Sequence, residues 1–444
     1  MADTTVSAVE TALENQRIGS LQIRVVILCT LIQICDGYDI NSVAWAVPKL
    51  IDTWHLPPPV FTSAFLWSSI GILIGALSAG PIGDRVGRKP LLVVSLIIFG
   101  LASIASAVSD SVVFLAATRF FTGLGIGGAF PGAASLAGDY APHRRRALLI
   151  MLSFTGAPLG GFLGGQIVAL WLLPQFGWPS IFVAGGVFPL ILVPALLIWL
   201  PESPRFLANK PNPSARDIAV LRRLDIEPGQ SHYIDVAQGN PVGMLFSRGY
   251  ALQTVLMWII FFCSLLNLFL FGYWMPTVFK LIGYTPAQAV FASSLRDCGA
   301  IFAVLYLGYL IDRVGPERSL ALHYAVGAIF IATIALVALP YVLMLVFTFF
   351  AGMTIIGSQT GANATCGKLY PARMRTSGLG WALGIGRLGG IVAPLLGGYL
   401  LSLGLPPTQI FLSACGFAVI AAAATALLHF RGTRVSALRE SVAS

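Results

Sequence analysis

Two carboxylates, Asp36 and Asp39, stand three residues apart inside an apolar run. On a helix that spacing sets both on one face. Carboxylates that share a partly desolvated face disfavour double ionisation, so one of them is expected to hold a proton more readily than in water. The competing reading is that one of them caps or breaks the helix beside Gly37. Arg119, Arg296, Asp297 and Arg387 also lie deep in apolar runs. If these runs cross a bilayer, a charge at a helix centre costs about 2.5–3.5 kcal/mol, which makes each one a functional candidate. A guanidinium is the natural fork for a carboxylate. Arg387 and Arg119 are therefore candidate ligands of an anionic substrate, or else structural partners of Asp36 and Asp39. Arg296 and Asp297 are chain neighbours, and neighbours on a helix point about 100° apart. They are not expected simply to neutralise each other: either they meet partners on other helices or one of them lines a binding cavity.

The elements that must hold these charges read as membrane spans. Apolar residues make up 57% of the 444-residue chain and charged residues 10%, against about 25% charged in a soluble domain. A spanning helix needs about 20 mostly apolar residues. Twelve such segments are predicted, at about 25–48, 60–82, 90–108, 111–138, 147–172, 178–200, 250–279, 285–311, 319–338, 341–366, 376–402 and 407–429. The expected organisation is a tail over 1–20, a six-helix bundle over 21–200, a polar central loop over 201–248, a second six-helix bundle over 249–430 and a tail over 431–444. The first twenty residues are polar and lack the apolar core of a cleavable signal peptide, so the N-terminus is expected to stay in the cytoplasm. Both tails and the central loop then lie on one side with Arg85, Arg88, Lys89, Arg144, Arg313, Arg318 and Arg373, while the other side has only Lys49 and Lys280. That asymmetry fixes the orientation. It also accounts for the net charge of +9 as a topology signal and not a nucleic-acid surface.

The halves repeat. GPIGDRVGRK (80–89) aligns with GYLIDRVGPE (308–317), matching Asp84 to Asp312, Arg85 to Arg313 and Gly87 to Gly315. GDYAPHRRR (138–146) aligns with GKLYPARMR (367–375). A duplicated six-helix unit implies a substrate site between the halves, near the bilayer midplane. Neither Arg119 nor Arg387 has a charged counterpart in the other half, where Thr348 and Pro158 stand. Asp84, Arg85, Arg88, Asp139 and Arg144, with the repeat positions Asp312 and Arg313, sit at cytoplasmic ends. They are read as gating ion pairs that break when an inner gate opens, or else as solvated topology charges. The run GLGIGG (123–128) fits a dinucleotide fingerprint. No strand precedes it, so its glycines are expected to let helices approach closely. The six cysteines form no CxxC pair and the five histidines are scattered, so no disulfide framework, metal site or cofactor is implied. No nucleophile–base set is present, so the chain is not read as an enzyme.

The loop GPIGDRVGRK and the run RFFTGLGIGG resemble motifs of the major facilitator superfamily. With DGYD (36–39), APHRRR, PESPRFL (201–207) and GIGRLGGIVAP (384–394), the chain resembles the aromatic acid:proton symporters, bacterial carriers of 4-hydroxybenzoate, protocatechuate or benzoate. The resemblance implies an all-α membrane fold of two pseudo-symmetric six-helix bundles in the inner membrane. It also implies uptake of a small aromatic carboxylate with protons, by a monomer. Asp36 and Asp39 would carry the proton, and Arg387, with Arg119, would hold the carboxylate. An aromatic ring needs flat walls and polar contacts. Trp381, Asn267, Gln359 and Asn363 are candidates, with Arg296 and Asp297, which depart from the family pattern. A carrier of another organic anion or of a sugar, or a membrane sensor of aromatic acids, remains the alternative.

Overall fold

The computed structural model describes residues 18–142, 145–210, 213–224, 226, 241–247, 250–370 and 372–443. Every regular element among them is helical. Twelve long helical segments correspond to the twelve expected spans: α1 Ser20–Trp54, α2 Thr62–Val86, α3 Arg88–Ala107, α4 Val112–Tyr140, α5 146–176, α6 Pro179–Trp199, α7 Ala251–Leu281, α8 Pro286–Val314, α9 Pro316–Leu336, α10 Tyr341–Leu369, α11 Ala372–Ser402 and α12 Gln409–Ala443. Among the described residues ten helices are long and apolar enough to cross a membrane by length and composition, and the bent α8 makes eleven. α1 is 35 residues long and carries the two carboxylates. α5 is interrupted at Thr155 and contains a π turn at Val168–Leu172. α12 continues past the apolar segment that ends at Phe430, where a tail was expected. The described residues of the central segment include the short helices Pro204–Ala208, Ala215–Arg223 and Pro241–Leu245.

Local chemistry sets several ends. Ser111 caps α4 by accepting from the Phe114 N–H. Thr285 and Gln288 form a reciprocal capping box at the start of α8, with Pro286 in its first turn. Gly87 and Gly315, aligned by the sequence repeat, both take positive φ, +104° and +92°, at the α2–α3 and α8–α9 junctions. Glycine alone adopts that backbone without a steric cost.

The chain divides into two compact units. The first holds Met1–Ser42, Trp67–Gly161 and Phe176–Gln238; the second holds Val43–Leu66, Phe162–Gln175 and Gly239–Ser444. Small residues draw the helices together, as packing in lipid requires. In the first unit Gly37 of α1 abuts the Ala157 carbonyl of α5, and Gly123 and Gly127 of α4 abut the Ser68 and Ile72 carbonyls of α2. Gly125 and Gly128 press on Ser95 of α3. The GLGIGG run is thus a two-sided packing surface. In the second unit Gly299 and Gly352 join α8 to α10, and Gly386 and Gly389 set α11 on α7. Within this unit the ends of α1, α2 and α5 also meet α7, α8 and α11. Lys280 pairs with Asp52 and donates to the Pro48 carbonyl at 2.7 Å, Gln166 donates to Ser294 Oγ at 2.7 Å, and Gly398 abuts Thr62.

A methyl group on Gly123 would collide with backbone that cannot give way, whereas nothing lies within 4 Å of one on Gly384. Overpacking of this kind costs about 1–3 kcal/mol. Gly123→Ala is expected to lower the thermal unfolding temperature in detergent and Gly384→Ala to leave it unchanged or raise it; equal behaviour of the two would contradict the close α2–α4 approach.

Candidate functional site

α1, α3, α4 and α6 converge on one buried charge pair. Arg119 of α4 is fully enclosed, and its Nη1 lies 3.1 Å from Asp39 Oδ2 of α1. Its other donors are engaged too: Nε and Nη2 reach Ser106 Oγ at 3.1 and 2.8 Å, Nη2 reaches Thr122 Oγ1 at 2.8 Å, and Nη1 reaches Ser42 Oγ at 3.2 Å. The guanidinium also lies 4.8 Å over the Phe182 ring of α6. Asp39 accepts in turn from Ser103 Oγ at 2.8 Å. All five guanidinium donors are therefore used by the protein. In this structure Arg119 is a structural partner of Asp39 with no donor left for a ligand. The serines and threonines that complete the pair were not singled out in the sequence. Their only signal was hydroxyls recurring in apolar helices, Ser103 with Ser106 and Thr118 with Thr122.

Asp36 is different. It is as deeply buried as Arg119, yet neither carboxylate oxygen has a hydrogen-bond partner among the described residues. The two acids of the DGYD motif share a helix face but not a partner. Gly37 between them lies against α5 within α1 and does not break the helix.

In the second unit Arg296 and Asp297 correct the sequence reading. They do pair with each other, Arg296 Nη2 to Asp297 Oδ1 at 2.9 Å, and both are nearly buried. The hundred-degree separation applies to the Cα–Cβ bonds; the long arginine side chain folds back across it. α7 makes room, because a methyl group on Gly272 would occupy the guanidinium's place. Arg387 stands midway along α11, about 22 Å from either end at 1.5 Å per residue. It is partly accessible and makes no ion pair or hydrogen bond among the described residues. Gln359 and Asn363 lie one turn apart on the accessible face of α10 with Ile356 and Thr360, and Gln359 Oε1 has no hydrogen-bond partner among the described residues. Trp381 is 44% exposed and stacks on Trp258 with centroids 6.0 Å apart. Asn267 is buried with its Oδ1 unpartnered. Gly386, Gly389 and Gly390 of α11 meet Phe261, Phe262, Leu265, Leu266 and Phe269 of α7. At 3.6 residues per turn Asn267 lies on roughly the opposite side of α7.

Three of the expected gating residues, Asp84, Arg88 and Asp139, form a cluster within the first unit. Arg88 Nε lies 2.9 Å from Asp139 Oδ2 and its Nη2 3.8 Å from the largely exposed Asp84. Arg205 approaches Asp139 at 3.9 Å, and Ser203 Oγ donates to it at 2.7 Å. Glu202 was missed. Its carboxylate accepts the Arg88 N–H at 2.7 Å and the Lys89 N–H at 3.2 Å, capping α3 where the helix dipole favours an anion. A side chain on Gly87 would displace it. With 113 or 114 residues between the partners, no local pattern announced this contact. Arg85 is exposed, as is Asp312. Arg313 lies over the Tyr309 ring and Arg144 falls outside the described residues. Among the described residues no group of His, Cys, Asp and Glu could hold a metal.

Removing one partner of a buried pair strands the other charge at a cost of about 3–5 kcal/mol. Asp39→Asn and Arg119→Met are each expected to destabilise the detergent-solubilised protein strongly. The double variant should lose less than their sum by about 2 kcal/mol or more, measured as a double-mutant cycle. Additive losses would show that the two side chains do not depend on each other.

The sequence profile of the Major Facilitator Superfamily matches residues 29–394 and again 257–442. The chain is 35% identical to the gallate transporter of Pseudomonas putida over 94% of each chain. It is 34% identical to the 4-hydroxybenzoate transporter PcaK of Pseudomonas aeruginosa, covering 94% of this chain and 95% of that one. The crystal structure of D-xylose-proton symporter has the same fold, with a TM-score of 0.70 at 17% identity, covering 91% of this chain and 97% of that one. With a profile matched over most of its length and relatives at this identity along nearly all of it, the protein belongs to the Major Facilitator Superfamily and is a membrane transporter, not an enzyme.

Proposed function

We propose that the protein takes up a small aromatic carboxylate together with protons, by alternating access, across a bacterial inner membrane with both termini cytoplasmic. The relatives named for gallate and 4-hydroxybenzoate support the substrate class. The observation that favours an acid taken with a proton is a pair of unbalanced charges. Of the membrane-embedded arginines, Arg119 and Arg296 are neutralised by Asp39 and Asp297, and Arg387 is not. Of the membrane-embedded aspartates Asp36, Asp39 and Asp297, Asp36 alone has no partner for its carboxylate among the described residues. A substrate carboxylate complements the Arg387 fork, and a proton removes the cost of the Asp36 charge. Trp381, Gln359 and Asn363 are the aromatic and polar groups assigned to the ring. Asp84, Arg88, Asp139 and Glu202 are assigned to gating at the cytoplasmic face, and the transporter acts as a monomer.

If Arg387 holds the carboxylate, the methyl ester of a transported acid will not compete for uptake. Arg387→Lys will then weaken competition by the acid about tenfold or more, because a charge-assisted fork is worth roughly 1.5–3 kcal/mol. Undiminished competition by the ester would remove Arg387 from the binding role.

If Asp36 carries the proton, Asp36→Asn imitates its neutral form. In proteoliposomes this variant should lose pH-driven accumulation while keeping substrate–substrate exchange, which moves no net proton. Accumulation at the wild-type level would place the coupling elsewhere, with Asp297 next in line.

A further inference from the structure

Phe302, Tyr306, Tyr309 and Arg313 of α8 follow one another at helical spacing, which keeps them on one side of the helix. Phe302, Tyr306 and Tyr309 are 51%, 42% and 55% exposed. With Phe349 and Met353 of α10 they line a groove of about 390 Å³. α8 bends by 47° there, between Ala303 and Tyr306. Ring contacts place the groove on the side of α8 and α10 that carries α9. Phe302 meets Phe349 edge-on at 5.5 Å, and Tyr306 tilts over His323 of α9 at 5.7 Å. α9 exposes Leu322 and Ile329 as well, an apolar surface suited to lipid.

One end of the groove is charged. The Arg313 guanidinium lies 4.7 Å over the Tyr309 ring. It forms no ion pair among the described residues, with Asp312 or any other acid. From Phe302 to Arg313 the helix path is about 16 Å at 1.5 Å per residue. That is close to the depth of one leaflet, roughly half of a 30 Å hydrocarbon core. An apolar trough of one leaflet's depth, ending at the interface in an unpaired guanidinium, matches a single lipid molecule. We propose that an anionic phospholipid of the leaflet on the basic side occupies this groove, its acyl chain along Phe302, Tyr306 and Tyr309 and its headgroup phosphate on Arg313. A zwitterionic lipid brings an ammonium group beside the phosphate, which the guanidinium repels; an anionic headgroup brings none.

The test uses the full chain in detergent, titrated with phosphatidylglycerol or with phosphatidylcholine of the same acyl chains, and counts retained lipid by native mass spectrometry. Phosphatidylglycerol should be retained about fivefold better, the effect expected of one arginine at an anionic headgroup. Arg313→Gln should bring that ratio close to one and Arg313→Lys should keep most of it. Phe302→Ala combined with Met353→Ala should lower retention of both lipids alike. Arg222→Gln, a charge removed from the central segment and not among the groove's lining residues, should leave the ratio unchanged. Equal retention of the two lipids by the wild type would overturn the proposal. So would a ratio that survives Arg313→Gln, or one that falls as far in Arg222→Gln.

Discussion

The first unit is organised by one constraint: a guanidinium withdrawn from water must have all its donors satisfied and its charge matched. Arg119 meets it with Asp39 from α1, Ser106 from α3, Thr122 from its own helix and the Phe182 face from α6. Four helices must reach the same point at the same depth for this to work. The close approaches provide that. Glycines of α4 lie against α2 and α3 where side chains would hold the helices apart, and Gly185 of α6 leaves space beside Asp39. Packing and electrostatics therefore specify the same arrangement, since lipid offers no solvent to a charge that misses its partner.

The second unit meets the same constraint differently. Arg296 and Asp297 form an ion pair from adjacent positions on α8, and Gly272 of α7 leaves the guanidinium its space. Its helices also approach backbone to backbone, through Gly299 and Gly352 between α8 and α10 and through Gly386 and Gly389 between α7 and α11.

Much of this was legible in the sequence. Long apolar runs give helices in a membrane whatever their neighbours do, so the twelve segments could be placed to within a few residues at most ends. The repeat aligned Gly87 with Gly315, and the backbone at both has the same left-handed turn. The packing role of GLGIGG followed from the absence of a preceding strand. Less legible was anything decided by rotamers or by contacts distant along the chain. Glu202 reaches the start of α3 across more than a hundred residues. The Arg296–Asp297 pair turned on side-chain length and on the notch at Gly272, neither of which a helical wheel represents. The wheel also could not tell which of Asp36 and Asp39 would find a cation, because that depends on where α4 lies.

Duplication of one six-helix unit would by itself produce matched sites, yet the embedded charges are unmatched. The first unit embeds two aspartates, Asp36 and Asp39, and one arginine, Arg119, which pairs with Asp39; the second embeds two arginines, Arg296 and Arg387, and one aspartate, Asp297, which pairs with Arg296. Each unit is left with one charge, of opposite sign. On the proposed function this imbalance has a direct use. A bound proton would neutralise the first unit and a bound carboxylate the second, so each would be fully compensated only when loaded. Uncompensated charge is what opposes burial in a low-dielectric interior. A unit carrying it should resist the closed, dehydrated state through which a carrier must pass. Leakage of substrate without proton, or of proton without substrate, is then suppressed by the same electrostatic cost that made Arg119 and Asp39 partners.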